Sequence, residues 1–289
     1  MTKNISAIRL FLVAVVVSAC DGRPSSNVLD LKAAPESPAA VNPPIPDPIP
    51  PTTPTPTPTG SVPGRLYTTD ALIFNGDGAW SSEAVNLEGI LKSHGLTYSA
   101  VSSAQIDAMT DAQFATYGMF VWPGGSGSQQ LSSLTDAART RIRNAVVDTG
   151  LGFVGFCAGA FLAVSPAPAS GQAPSWLSLI PQNYLNYYYL ENQGVTAAMT
   201  LETFADGTQH DLVWYGGPVT PNIAGGIVAK YPTGEPAISE TKSGNGFVIV
   251  SGVHPASPAL GIGDTDGLDF DVAWSLLHAT LTQTPLPAF

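Results

Sequence analysis

From residue 65 onward, short apolar runs alternate with segments whose apolar residues recur every three or four positions. Residues 71–74 (Ala-Leu-Ile-Phe) read as a buried strand, closed by Asn75-Gly76-Asp77-Gly78. Residues 82–93 read as a helix with Ser82 as N-cap, Val85, Leu87, Ile90 and Leu91 on its apolar side, and Gly95 as its stop. A strand is expected at 98–101. A short helix follows at 110–115, capped by Thr110 with Gln113 three residues on. Strand 119–122 ends at Pro123-Gly124-Gly125, helix 134–147 is capped by Thr135, and strand 153–156 follows. Four alternations of strand and helix predict βαβ units and a parallel sheet.

Beyond Pro166 the helical period fades. Strands are expected at 187–190, 195–203, 211–215, 226–231, 237–241 and 246–250, several as hairpin partners, with a closing helix at 269–281. The predicted fold is an α/β three-layer sandwich with a mainly parallel sheet and a β-rich second half.

The first 63 residues follow a different pattern. Lys3 and Arg9 precede an apolar stretch at 10–17, and Val17-Ser18-Ala19-Cys20 has the form of a bacterial lipobox. Residues 1–19 are therefore expected to be a lipoprotein signal peptide, with Cys20 lipidated as the first residue of the exported chain. The apolar stretch is far short of the ~18 residues that span a bilayer, which predicts anchoring in the bacterial cell envelope rather than spanning. Residues 20–63 read as a tether: twelve of the 26 prolines lie between Pro35 and Pro63, a density that favours extended polyproline II. The globular domain is placed at 64–289.

Charge narrows the function. The chain has 11 Lys+Arg against 22 Asp+Glu, a net charge of −11. Residues 1–63 hold four of each sign, so residues 64–289 carry seven basic and eighteen acidic side chains. With no basic cluster to neutralise phosphates, nucleic acid is excluded as a partner. The expected partner is a small molecule, with the membrane reached through the lipid on Cys20 and no cofactor. The two cysteines cannot build a disulfide framework.

In parallel sheets, ligands bind at the carboxyl ends of the strands. Gly155-Phe156-Cys157-Ala158-Gly159 lies there, between an apolar strand and a run of small residues. This is the thiol form of a nucleophile elbow, in which a strained turn exposes the nucleophile at a helix N-terminus. The alternative is a buried structural cysteine. The Gly124-Gly125 pair, with the N–H of Ala158, would supply an oxyanion hole. Of the four histidines only His254 follows a predicted strand at its carboxyl end, so it is the candidate proton acceptor.

The order Asn-Gly-Asp-Gly (75–78), Trp-Pro-Gly-Gly (122–125), Gly-Phe-Cys-Ala-Gly-Ala (155–160), Trp-Tyr-Gly-Gly-Pro (214–218) and Ser-Gly-Val-His-Pro (251–255) resembles the N-terminal domain of biotin–protein ligases and its stand-alone bacterial versions. That family lies within the class I glutamine amidotransferase-like superfamily. The resemblance implies a flavodoxin-like sandwich and a Cys157–His254 pair, with Tyr215, Gly216, Gly217 and Pro218 against substrate. Related amidotransferases follow the histidine with Pro-Glu, and the glutamate orients the imidazole; here Ala256 stands at that position. Asp77, after the first strand, is the candidate replacement, or else it merely makes an Asx turn. The aspartates at 264, 266, 269 and 271 do not fit an EF-hand, and capping of the last helix is the simpler role, so no metal is expected. Two functions follow: a cysteine-nucleophile hydrolase or acyl-transfer enzyme on a small amide, or a non-catalytic domain binding a ligand or partner in the same pocket.

Overall fold

The computed structural model describes residues 60–62, 64–257 and 269–289. The expected signal peptide, Cys20, most of the expected tether and most of the aspartate-rich segment lie outside them. Among the described residues no helix is long and apolar enough to cross a membrane.

Nine strands form one sheet: β1 (Thr69–Phe74), β2 (Tyr98–Val101), β3 (Tyr117–Trp122), β4 (Gly152–Phe156), β5 (Ala198–Phe204), β6 (Gln209–Trp214), β7 (Ile227–Lys230), β8 (Pro236–Ser243) and β9 (Gly246–Ser251). Their order is β6-β5-β7-β8-β9-β4-β3-β1-β2. The β9-β4-β3-β1-β2 half is parallel, and the β-rich second half adds antiparallel strands onto β9. The result is a mixed α/β sandwich whose parallel half coincides with the βαβ region of the sequence.

The helices are α1 (Ser81–Ser93), α2 (Ser103–Ala108), α3 (Asp111–Phe114), α4 (Gly127–Ser132), α5 (Asp136–Val147), α6 (Ala158–Ala163), α7 (Tyr189–Asn192) and α8 (Asp269–Thr282). The central strands are apolar throughout because both faces are covered. On one face Ile73, Val121, Val154 and Ile249 pack with Leu87 and Leu91 of α1 and Leu276 and Leu277 of α8. On the other, Leu72, Phe120, Phe153 and Val248 pack with Ile142 and Val146 of α5 and Leu162 of α6. The period of two along each strand thus feeds two separate cores.

Several predicted elements differ in detail. Helix α1 begins at Ser81 with Trp80 as its N-cap and no side-chain cap bond, so Ser82 is inside the helix. Thr110 and Gln113 do form a reciprocal capping box on α3, and Thr135 caps α5. Helix α2, capped by Ser102 with Gln105, and helix α4, capped by Ser126, have no counterpart among the expected elements. The strand expected at 187–190 does not form. Tyr187 makes an isolated bridge to Pro218, and the chain then turns through α7. The tyrosines there are held by aromatic packing, Tyr188 stacking on Tyr231 at 3.9 Å, rather than by a ladder.

Candidate active site

Cys157 follows the last residue of β4 and is the N-cap of α6, with φ 46° and ψ −100°. It is one of three non-glycine residues with positive φ among those described. Such a conformation is costly for a side chain bearing Cβ and persists only where neighbours fix it. Its N–H donates to Ser251 O at 2.7 Å, tying the turn to the end of β9. The flanking glycines are required sterically. A Cβ on Gly155 would lie 2.6 Å from the backbone carbon of Gly159, and a Cβ on Gly159 would lie 2.6 Å from Trp122 O. Strand and helix therefore nearly touch, as the elbow reading expects.

His254 follows β9 by three residues, and its N–H donates to Val213 O at 2.8 Å. β9 and β4 are parallel neighbours with Ser251 opposite Phe156, which brings His254 and Cys157 to the same end of adjacent strands. The thiol donates to Tyr215 O at 3.4 Å. The Tyr215 ring lies 5.1 Å from Trp80, and Trp80 stands edge-on to the imidazole at 5.0 Å. Sulfur, imidazole and two half-buried aromatic rings therefore share one patch.

The imidazole is oriented by a residue absent from the sequence motifs. Glu83, in the first turn of α1, places Oε1 3.1 Å from His254 Nδ1, with both side chains fully buried. Its second oxygen accepts the Gly124 N–H at 2.6 Å. One carboxylate thus holds both the histidine and the glycine loop after β3. With Nδ1 donating to Glu83, Nε2 is the nitrogen set to accept a proton, the tautomer logic of a catalytic triad. Ala256 is fully buried, and its carbonyl accepts from Asn86 Nδ2 at 2.7 Å. The N-terminal half of α1 therefore grips the histidine loop at two points, and the carboxylate comes from the helix rather than from position 256. Asp77 is exposed and its N–H donates to Ser103 Oγ; the carboxylate facing His254 is that of Glu83.

The oxyanion candidates divide. Gly124 spends its N–H on Glu83, so that donor is committed. Its carbonyl accepts from Trp80 N–H at 2.9 Å and from Gln130 Nε2 at 3.0 Å. Gly125, at φ 132°, and Ala158, at the first position of α6, are the remaining backbone donors. Gly125 cannot carry a side chain, since a Cβ would stand 2.0 Å from Gly78 O.

Of the four expected substrate residues, Tyr215 alone turns a side chain toward the patch. Gly216 adopts φ 58°, and a Cβ on Gly217 would lie 1.8 Å from Gly252 O. Pro218 O accepts from Tyr231 OH at 2.8 Å. These three residues make the seam against which the histidine loop is packed. Asp269 and Asp271 open α8, and among the described residues no group of three or more His, Cys, Asp or Glu is placed to hold a metal.

Residues 69–170 match the family model described as "Biotin-protein ligase, N terminal". The match runs from β1 to just beyond α6. It takes in Glu83, Gly124, Gly125, Cys157 and Ala158 but ends before His254. No curated relative matches the chain. Similar solved structures include a glutamine amidotransferase at 15% identity, covering 72% of this chain and 97% of that one, TM-score 0.49. A β-galactosidase from the haloarchaeon Halorubrum lacusprofundi shares 15% identity over 75% of this chain and 31% of its own, TM-score 0.41. A cytoplasmic protein from Salmonella typhimurium shares 11% identity over 73% and 98%, TM-score 0.42.

Proposed function

We propose that the chain is an amidotransferase-like cysteine hydrolase or acyl-transfer enzyme acting on a small amide, with Cys157, His254 and Glu83 as its triad. The observation that carries this reading is the Glu83 carboxylate, bonded at once to His254 Nδ1 and to Gly124 N–H in a fully buried setting. In the reaction, His254 Nε2 takes the thiol proton and Cys157 Sγ attacks the amide carbonyl. Ala158 and Gly125 N–H groups meet the developing oxyanion. The imidazolium then returns its proton to the departing amine, leaving a thioester that water or another acceptor cleaves. Export and lipid attachment through Cys20 belong to the same proposal and rest on the lipobox-like sequence.

The test is the rate of Cys157 alkylation by a neutral reagent as a function of pH, in the wild type and in His254→Ala. The expected result is rapid alkylation at neutral pH that falls about tenfold or more in the variant. A profile superimposable on free cysteine and unchanged by His254→Ala overturns it. The burial of Cys157, His254 and Glu83, all 0% exposed, favours the second reading, a ligand- or partner-binding domain that keeps the elbow without turnover.

A further inference from the structure

The charge map around Cys157 constrains what the thiol can attack. Residues 64–289 contain seven basic side chains, and the segment 258–268 contains none. Those with described side-chain contacts make them to residues other than Cys157, His254, Trp80 and Tyr215. Arg65 donates to Ala115 O and Gly118 O at the start of β3, the end of the sheet opposite Cys157. Lys92 lies in the last turn of α1, nine residues beyond Glu83 and so about 13 Å along the helix. Three arginines belong to α5. Arg139 donates to Leu134 O, Pro174 O and Asp136, Arg141 donates to Asp107 O, and Arg143 lines a cleft beside Val147 and Leu179. Lys230 sits over the Phe289 ring at 3.8 Å, and Lys242 donates to Gln283 Oε1 at 3.0 Å.

Around the thiol itself the walls are of another kind. The half-buried Trp80 ring lies against both the half-buried Tyr215 ring and the His254 imidazole, and the thiol already points at a carbonyl oxygen, that of Tyr215. Exposed Asp77 stands on the loop leading to Trp80. An imidazolium formed on His254 faces the Glu83 carboxylate, so the pair adds no net positive charge. The domain around it carries eighteen acidic side chains. A carboxylate entering this patch would meet an unfavourable field and, among the described residues, no cationic partner.

We propose that the Cys157 site admits uncharged or cationic amides whose flat or apolar flank lies against Trp80 and Tyr215, and excludes substrates bearing a carboxylate near the scissile amide, free glutamine among them. This rests on the nucleophile reading above and names the substrate class for the same site. It sets the site apart from one built to hold an α-amino acid by its carboxylate.

The experiment compares two reagents that differ by a charge, iodoacetamide and iodoacetate, on the full chain, with modification followed by mass spectrometry of the peptide containing Cys157. Each rate is divided by that of a small free thiol. The expected result at low salt is a preference for iodoacetamide of about tenfold or more, shrinking at about 0.5 M salt. Trp80→Arg, which puts a cation on the wall, is expected to shift the ratio toward iodoacetate. Fast alkylation with iodoacetate equal or preferred in the wild type overturns the charge proposal while leaving the nucleophile intact. An unchanged ratio in Trp80→Arg overturns the placement of that wall. Slow alkylation by both reagents, indifferent to His254→Ala, overturns the nucleophile reading and this proposal with it.

Discussion

Glu83 reaches His254 across 171 positions of sequence, its Oε1 3.1 Å from the imidazole Nδ1 and its other oxygen on the Gly124 N–H. Two loops that the sequence places far apart are thereby fixed by one carboxylate. Glu83→Gln keeps the size of the side chain but replaces a charged acceptor with a neutral amide that must turn one face, N–H₂ or C=O, to each partner. The expected effect is a fall of about ten- to a hundred-fold in the rate of Cys157 alkylation at neutral pH. Stability is expected to drop by about 1–3 kcal/mol, since a buried charge-assisted pair is broken. Alkylation kinetics and urea unfolding of the same preparation check both. An unchanged rate with lowered stability would make Glu83 a structural residue alone.

The strain at Cys157 has its own signature. At most positions alanine is more stable than glycine by about 0.4–1 kcal/mol, because glycine gains more freedom on unfolding. At φ 46° the order should reverse. Cys157→Gly is expected to be more stable than Cys157→Ala by about 1 kcal/mol, both having lost the sulfur. Paired denaturation curves measure it, and alanine emerging as the more stable would show that the turn relaxes once the thiol is gone.

The small residues of the elbow test how closely strand and helix approach. A Cβ on Gly159 would meet the backbone oxygen of Trp122 at 2.6 Å, an atom that cannot rotate away. Gly159→Ala is therefore expected to cost about 1–3 kcal/mol. Gly89, on the exposed side of α1 with nothing within 4 Å of an added Cβ, is the control. Gly89→Ala should stabilise by up to about 1 kcal/mol. Thermal unfolding of the two variants side by side checks the contrast.

Much of this site was legible in the sequence because its signals are local. Gly155-Phe156-Cys157-Ala158-Gly159 encodes a steric requirement within five residues, and Thr110 with Gln113 encodes a cap within four. Strands β1, β3 and β4 were readable because both their faces are buried, leaving unbroken apolar runs. Glu83 was not legible. A glutamate in the first turn of a helix is ordinary capping chemistry, and only the fold shows it buried against His254. The one signal for it was negative, the alanine at 256 where an orienting carboxylate was expected. Tyr187 and Tyr188 misled for the opposite reason: tyrosines favour strands, but here they pack into aromatic contacts and no ladder is offered to them.

The last prediction concerns pH and a residue remote from the thiol. Glu240 on β8 is 3% exposed, and burial pushes its carboxyl up to about 7 although both its oxygens accept the Leu286 N–H. Its ordinary value is 4.5. Between those values the folded protein holds a proton there that the unfolded chain has released, so stability falls as pH rises through this window and the full loss is reached above about 7. A displacement of this size corresponds to about 3 kcal/mol. Glu240→Gln retains an acceptor for Leu286 and cannot ionise, so it should remove this part of the slope. Urea unfolding at about pH 5 and about pH 8 should show the variant gaining on the wild type by about 2–3 kcal/mol at the higher pH. Parallel pH dependence in the two proteins would mean that the C-terminal segment bearing Leu286 opens enough to solvate the ionised carboxylate.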